Sequence, residues 1–304
     1  MYIPSAFYRR KALAALKGHW QTALLIALIV NLPTLLMQGF SVYTGNDLAD
    51  RLQAVMVSAS RDGVMTPQLL LDEFNAILNS TGFWTIRGLE ILAWLVTPCL
   101  ALGMYKWLLD LLRGTEGPVN TVFSRMRIFL KAIGLQLLII LKVLLWALPG
   151  LAVMVYLLLP VFTSTNVLTQ LSAMERGYNM TLPVLLLTAV PAVMAALRYA
   201  MSEYIMAEDP ESKTLFCIRR SKELMLNQKR SLFLLAVSFL LWHLLEILVS
   251  SMLPGVLALV FQMLVGLALS VYMSGSFSVF YLRLKGLQEN HQSPDAEPAP
   301  EELN

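Results

Sequence analysis

Four ionisable side chains stand inside long apolar runs of this chain: Lys142, Arg198, His243 and Glu246. A charge at the centre of a membrane span costs about 2.5–3.5 kcal/mol on insertion scales, so such residues are the first place to look for chemistry. Their depth follows from a rise of about 1.5 Å per helical residue. Counted from the nearest basic residue or span end, Arg198 lies at about 13 Å, Lys142 at about 16 Å, His243 at about 20 Å and Glu246 at about 24 Å. A lysine side chain covers much of the offset between Lys142 and Glu246, so those two can pair. Alternatively, the set lines a substrate or proton path. Arg198 can instead snorkel toward the near interface. Within Trp242-His243-Leu244-Leu245-Glu246, the His and the carboxylate share one helical face. Such a pair is half of a metal or proton-relay site, or else the two simply bond to each other or to a neighbouring helix. No second His or Glu-x-x-His partner is in reach to complete the site.

Other catalytic patterns are missing. The chain has 3 His residues (His19, His243 and His291), and neither a nucleotide-binding glycine loop nor a zinc-protease helix motif occurs. No catalytic residue, metal or cofactor is expected, and the chain reads as a non-enzyme. Its 2 cysteines, Cys99 and Cys217, imply no disulfide framework.

The elements that carry these residues are set by composition. The 304 residues are 57% hydrophobic and 14% charged, with a mean hydropathy of +0.64. Soluble domains hold about 45–50% apolar and about 25% charged residues. A soluble domain of this size could not hide so much apolar surface. Six stretches are long and apolar enough to cross a hydrocarbon layer about 30 Å thick. They cover about 21–40, 89–112, 132–159, 182–207, 231–253 and 256–282. Only Pro254-Gly255 separates the last two, which predicts a tight helical hairpin. Pro33, Pro98, Pro149 and Pro191 fall within spans, where each frees a carbonyl and permits a kink.

Orientation follows from the lysine and arginine bias of short loops. With the N-terminus inside, Arg9, Arg10, Lys11, Lys17, Lys106, Arg113, Arg125, Arg127, Lys131, Lys213, Arg219, Arg220, Lys222, Lys229, Arg230, Arg283 and Lys285 are cytoplasmic: 17 of 23 basic residues. Only Arg51, Arg61, Arg87 and Arg176 fall outside. Both termini are therefore expected in the cytoplasm, with the first span kept as an uncleaved anchor.

Three basic segments each precede a pair of spans. The first reads Phe7-x-Arg9 then Gly18, and the second reads Phe123-x-Arg125 then Gly134. The third reads Phe216, Arg219-Arg220, then Lys229-Arg230. They suggest three parallel units, each an amphipathic helix followed by a hairpin. Such basic helices suit the interface with anionic headgroups, at about 1 kcal/mol per charge. Arg9, Arg10, Lys11, Arg219, Arg220 and Lys222 are the candidate contacts. The expected partner is thus the phospholipid bilayer, anionic lipids above all, with a protein partner left open and no nucleic acid.

The loop between the first two spans predicts two short helices on the outer surface. One presents Leu48, Leu52, Val55 and Met56, the other Leu70, Phe74, Ile77 and Leu78. Asp47, Asp50, Asp62, Asp72 and Glu73 make this cap acidic. Val167, Leu168, Leu171 and Met174 predict one more short outer helix. The tail, 288–304, has no basic residue and three prolines, and reads as disordered cytoplasmic chain.

One stretch is distinctive: Tyr204-Ile205-Met206-Ala207-Glu208-Asp209-Pro210, then Ser221-Lys222-x-x-Met225, Lys229, Phe233, Ser238-Phe239 and Trp242, with Phe280-Tyr281 closing the last span. Together with Lys11-Ala12-Leu13-x-x-Leu16-Lys17-Gly18-x-Trp20, it resembles the bacterial membrane proteins grouped as domain of unknown function 975. Nearly the whole chain takes part, apart from the tail and outer loops. The chain departs from that pattern at Asn227, where the family usually has Gly, and at Val271-Tyr272, where it usually has Pro-Tyr. The family looks related to the membrane domain found beside some glycerophosphodiester phosphodiesterases. That implies a lipid or envelope context and supplies no catalytic residue.

The expected molecule is an all-α, polytopic six-helix bundle in the bacterial cytoplasmic membrane, N-in and C-in, with amphipathic helices on the cytoplasmic side and a helical outer loop. It occupies 1–287 as one domain. The expected activity is lipid or partner binding by an envelope or accessory protein. The alternative is small-solute or ion transport along a polar path near Lys142, Arg198 and Glu246.

Overall fold

A computed structural model describes residues 4–44, 81–115, 117–163 and 167–292, with isolated positions between 45 and 80. Its elements are α1 (Ser5–Leu16), α2 (Trp20–Thr44), α3 (Thr81–Leu112), a 3-10 helix (Val119–Ile128), α4 (Phe129–Thr163), α5 (Val167–Tyr199), α6 (Ser202–Glu208), α7 (Thr214–Leu224), α8 (Lys229–Met252) and α9 (Gly255–Gln292). Among the described residues there is no strand. Six helical stretches are long and apolar enough to cross a membrane. Helix is the natural solution for such runs, because each backbone N–H and C=O then bonds within its own segment.

The order short helix, long helix, long helix occurs three times: α1-α2-α3, the 3-10 helix with α4-α5, and α7-α8-α9. The first and third units turn alike. Gly18 has φ 91° after α1, and Asn227 has φ 61° after α7. The left-handed region suits Gly best and Asn best among the rest. The middle unit differs, because its 3-10 helix runs into α4 without a turn and Gly134 is helical. The matching Phe-to-Gly spacings of the first two units therefore do not mark matching turns.

α9 is the central pillar. It packs against α1, α2, α3, α7 and α8, and half of its apolar span is buried, far more than in any other span. Ser274, Gly275, Ser276 and Ser278 let neighbours come close. A Cβ on Gly275 would stand 3.6 Å from Ala12 and 3.8 Å from Leu16 and Leu108. The α1 stripe Tyr8, Ala12 and Leu16 is buried against this helix. That apolar face is thus used on protein, while Phe7, Arg10, Lys11 and Leu13 remain outward.

α4 and α5 form a close hairpin that mostly faces away from the bundle. At its crossing a Cβ on Gly150 would lie 2.0 Å from Thr188 Oγ1. Leu141, Leu145, Leu182 and Leu185 are exposed on it, as a lipid-facing surface requires.

Several local features differ from the sequence expectation. Val167, Leu168, Leu171 and Met174 form no separate outer helix, since α5 continues from Val167 to Tyr199 without a break. Pro183 and Pro191 are accommodated within it. The stretch 182–207 is not one helix either. It breaks at Ala200-Met201 before α6. Helix α9 continues to Gln292, past the residue where the tail was expected to begin. The faces named for the outer-loop helices and residues 293–304 of the tail lie outside the described residues.

Candidate functional site

Polar contacts gather at one end of the bundle, around the segment Ala207-Glu208-Asp209-Pro210. Glu208 ends α6 and accepts hydrogen bonds from three side chains. Arg113 at the end of α3 and Lys285 of α9 both reach Oε1, the latter at 2.9 Å. The Tyr281 hydroxyl of α9 donates to Oε2 at 2.5 Å. One carboxylate therefore ties three helices, and both of its oxygens are occupied.

The carbonyls just around it are held in the same way. Arg125 of the 3-10 helix donates to Ala207 O through Nε (3.0 Å) and Nη2 (2.6 Å). Lys131 of α4 donates to Pro210 O at 3.1 Å. Ala207 O is one of the carbonyls a helix end leaves without partners. Positive side chains also suit the negative pole of a helix C-terminus. Asp209 accepts from Ser212 Oγ (2.5 Å) and from Glu211 N–H (3.1 Å). The Ser212 hydroxyl and these turn amides hold its carboxyl below the usual range.

The break at Ala200-Met201 is bridged from α7. Ser221 Oγ–H donates to Arg198 O at 3.0 Å, and the Met201 N–H donates to Ser221 Oγ at 3.2 Å. Behind it, the rings of Tyr105, Tyr204 and Tyr281 stack at 4.5 and 5.9 Å between centroids. They join α3, α6 and α9 directly inside the Glu208 cluster.

Two cavities open at this end. One, of about 240 Å³, is lined by Glu208, Asp209, Ser212, Arg220, Tyr281 and Lys285, among others. The other, of about 490 Å³, lies between α1, the α7–α8 turn and α9. Around them the short segments present bases beside large apolar side chains. Arg10 and Lys11 stand with Phe7 and Leu13, and Arg127 stands with Phe123, Met126 and Leu130. Arg219 and Lys222 stand with Leu215 and Phe216.

The residues singled out by sequence fall in different places. Among the candidate lipid contacts, Arg10, Lys11 and Arg219 are exposed with no ion-pair partner among the described residues. Arg9 is half-buried, and its Nε makes no hydrogen bond. Arg220 pairs with Glu223 at 3.2 Å. Lys222 lies 5.8 Å over the Tyr199 ring.

The intramembrane four are not brought together. His243 Nδ1 lies 3.2 Å from Glu246 Oε2. Glu246 is buried where α8 meets α9, and a Cβ on Gly266 would stand 3.3 Å from its Oε1. The Arg198 guanidinium sits 5.9 Å over the Trp146 ring, a cation–π contact between α5 and α4. Lys142 is half-buried on α4, and among the described residues no ion pair joins it to Glu246. Neither of the two cavities is lined by any of these four. Among the described residues no group of three or more His, Cys, Asp or Glu gathers at metal-binding distance.

Glu208 was missed as a site residue by sequence reasoning. The signal was available: a carboxylate at the very end of an apolar run, on the side where most of the bases are gathered, has cations within reach. Which cations they are depended on the fold.

A family model described as protein of unknown function (DUF975) matches residues 4–288. No curated protein matches the chain, and no solved structure does.

Proposed function

The chain belongs to the DUF975 family, whose function is unknown, and from that premise we propose that it is a non-enzymatic multi-pass membrane protein that binds anionic phospholipid at its basic end, as an envelope or accessory protein. The observation that carries this reading is the rim of short segments, where exposed Arg10, Lys11, Arg127 and Arg219 stand beside exposed Phe7, Phe123 and Phe216. An apolar ring at the depth of the acyl boundary and a cation at the depth of the phosphate is the composition an interfacial surface needs. Each base near an anionic leaflet contributes about 1 kcal/mol. The lysine and arginine bias supports placing this end, and both termini, on the cytoplasmic side of a bacterial inner membrane.

Transport along Lys142, Arg198 and Glu246 is the competing reading. It draws no support from the two cavities described, which lie at the basic end and away from those residues.

The test is lipid retention. The full chain is purified from membranes and its bound lipids are compared with those of the triple variant Arg10→Gln, Lys11→Gln, Arg219→Gln. The wild type should be enriched in phosphatidylglycerol or cardiolipin over the bulk membrane, and the variant should lose that enrichment. Equal lipid profiles in the two proteins would overturn the proposal.

A further inference from the structure

The larger cavity, of about 490 Å³, is lined by Tyr8 of α1, Asn227, Gln228 and Ser231 around the α7–α8 turn, and Arg283 and Gln288 of α9. Leu224, Leu226, Leu284 and Leu287 form its apolar wall. From these groups we infer that it is a binding site for a single phosphate ester, the headgroup of a glycerophospholipid whose chains leave over Leu226 and Leu287. This rests on the lipid-binding reading above and goes beyond it. A charged rim attracts many lipids loosely, whereas this cavity selects one.

Charge points to the phosphate. Arg283 Nη1 donates to Tyr8 OH at 3.1 Å, and its guanidinium lies over the rings of Phe7 and Tyr8 at 5.9 and 5.8 Å. Both contacts position the fork without neutralising it, and no described carboxylate stands within ion-pair distance of it. Among the described residues of its lining the one acid, Glu223, is engaged by Arg220. A guanidinium held by rings and left with free N–H groups is suited to a phosphate, which accepts from two of them at once. Asn227, Gln228 and Ser231 supply neutral donors on the facing wall.

A second observation concerns the rest of the headgroup. Gln288 Oε1 is out of contact with solvent and accepts no hydrogen bond. A buried acceptor without a partner costs about 1–3 kcal/mol. Gln288 lines the cavity, so its amide turned inward would meet the hydroxyl or ammonium of a headgroup whose phosphate sits on Arg283.

The source of the phosphate ester is set by the mouth of the cavity. Leu226 is 67% exposed and Leu287 is 41% exposed, at the end of the bundle that carries the basic rim. Two exposed leucines beside a polar cavity suit a molecule with acyl chains and add nothing to recognition of a soluble phosphate.

The experiment is native mass spectrometry of the full chain in neutral detergent, titrated with phosphatidylglycerol and, separately, with glycerol 3-phosphate. The wild type should hold one phosphatidylglycerol. Arg283→Gln and Gln288→Leu should each weaken it about tenfold or more. Gln288→Leu leaves the Arg283–Tyr8 contact in place, so it reports on the site even if Arg283→Gln fails to fold. The rim variant Arg10→Gln, Lys11→Gln, Arg219→Gln should keep the single lipid while losing bulk enrichment. Competition by glycerol 3-phosphate would show that the headgroup alone is recognised, and its absence would show that the chains are needed; both support the site. Retention of the lipid by both cavity variants overturns the inference and leaves the rim reading standing. No stoichiometric lipid on the wild type also overturns it.

Discussion

Arg125 donates two hydrogen bonds to the carbonyl of Ala207, 82 residues further along the chain. Its own carbonyl accepts from the Cys99 thiol of α3 at 2.9 Å. One residue of a short 3-10 helix thus joins α3 to the end of α6, where the Glu208 cluster begins. The basic end of the bundle is held by cations turned inward as well as by those turned outward.

Arg125→Ala should lower the thermal midpoint in detergent, at a cost of about 2 kcal/mol, because two bonds from a charged donor to a helix-end carbonyl are lost together. Arg125→Lys should recover only part of this, since a single ammonium cannot reproduce the paired geometry. Thermal melts of the three proteins side by side give the ranking, and a lysine variant as stable as wild type would contradict it.

Ser221→Ala removes the hydroxyl that bridges the break between α5 and α6. Arg198 O and the Met201 N–H are then both without this partner inside the protein. The cost should be about 1–3 kcal/mol. Hydrogen exchange should rise first at Met201 and its neighbours, before any change in α2 or α4.

At Gly103 the 3-10 helix rests directly on α3. A Cβ there would lie 1.9 Å from Val122 O, whereas at Gly88 of the same helix nothing stands within 4 Å. Gly103→Ala should therefore destabilise by about 1–3 kcal/mol or more through forced displacement of backbone. Gly88→Ala should be neutral or stabilising by up to about 1 kcal/mol, through helix propensity. A clear loss at Gly103 and none at Gly88, for one substitution on one helix, is readable from two thermal melts.

Asn227 holds a left-handed turn, at φ 61°. Asn227→Gly should be tolerated, as the family resemblance also suggests. Asn227→Val should cost about 1–2 kcal/mol, since a branched side chain is strained there. Expression yield and melting temperature of the two variants should separate clearly.

Cys217 is fully buried in α7, and burial pushes its thiol up to about 11. The neutral form is the one the fold favours. In a Cys99→Ala background, maleimide labelling should be slow near neutral pH and should accelerate as pH rises toward that value. Fast labelling at neutral pH in the folded protein would show that α7 is not packed as described.

The spans, their number and the basic end were legible in the sequence, because length, apolarity and charge bias are local properties that do not depend on neighbours. The Pro254-Gly255 hairpin was legible for the same reason. The helix break at Ala200-Met201 was not. No proline or glycine marks it, and the bonds that replace its lost ladder come from Ser221, 20 and 23 residues away.

The intramembrane charges show the same division. Their rarity was visible at once, and so was the His243–Glu246 spacing on one face. The ring under Arg198 was not, because Trp146 lies on another helix. Depth along separate helices says nothing about which faces meet, so a Lys142–Glu246 pair looked as open to the sequence as any other. The burial of α1 was likewise decided by tertiary packing. Arg283 reaches Tyr8 across 275 residues, and only a helix crossing brings their side chains together. Sequence alone determined that this is a membrane bundle with a basic end. The tertiary structure decided which bases turn inward to hold Glu208 and Ala207 and which remain outward, because that choice depends on helix rotation, which no local pattern encodes.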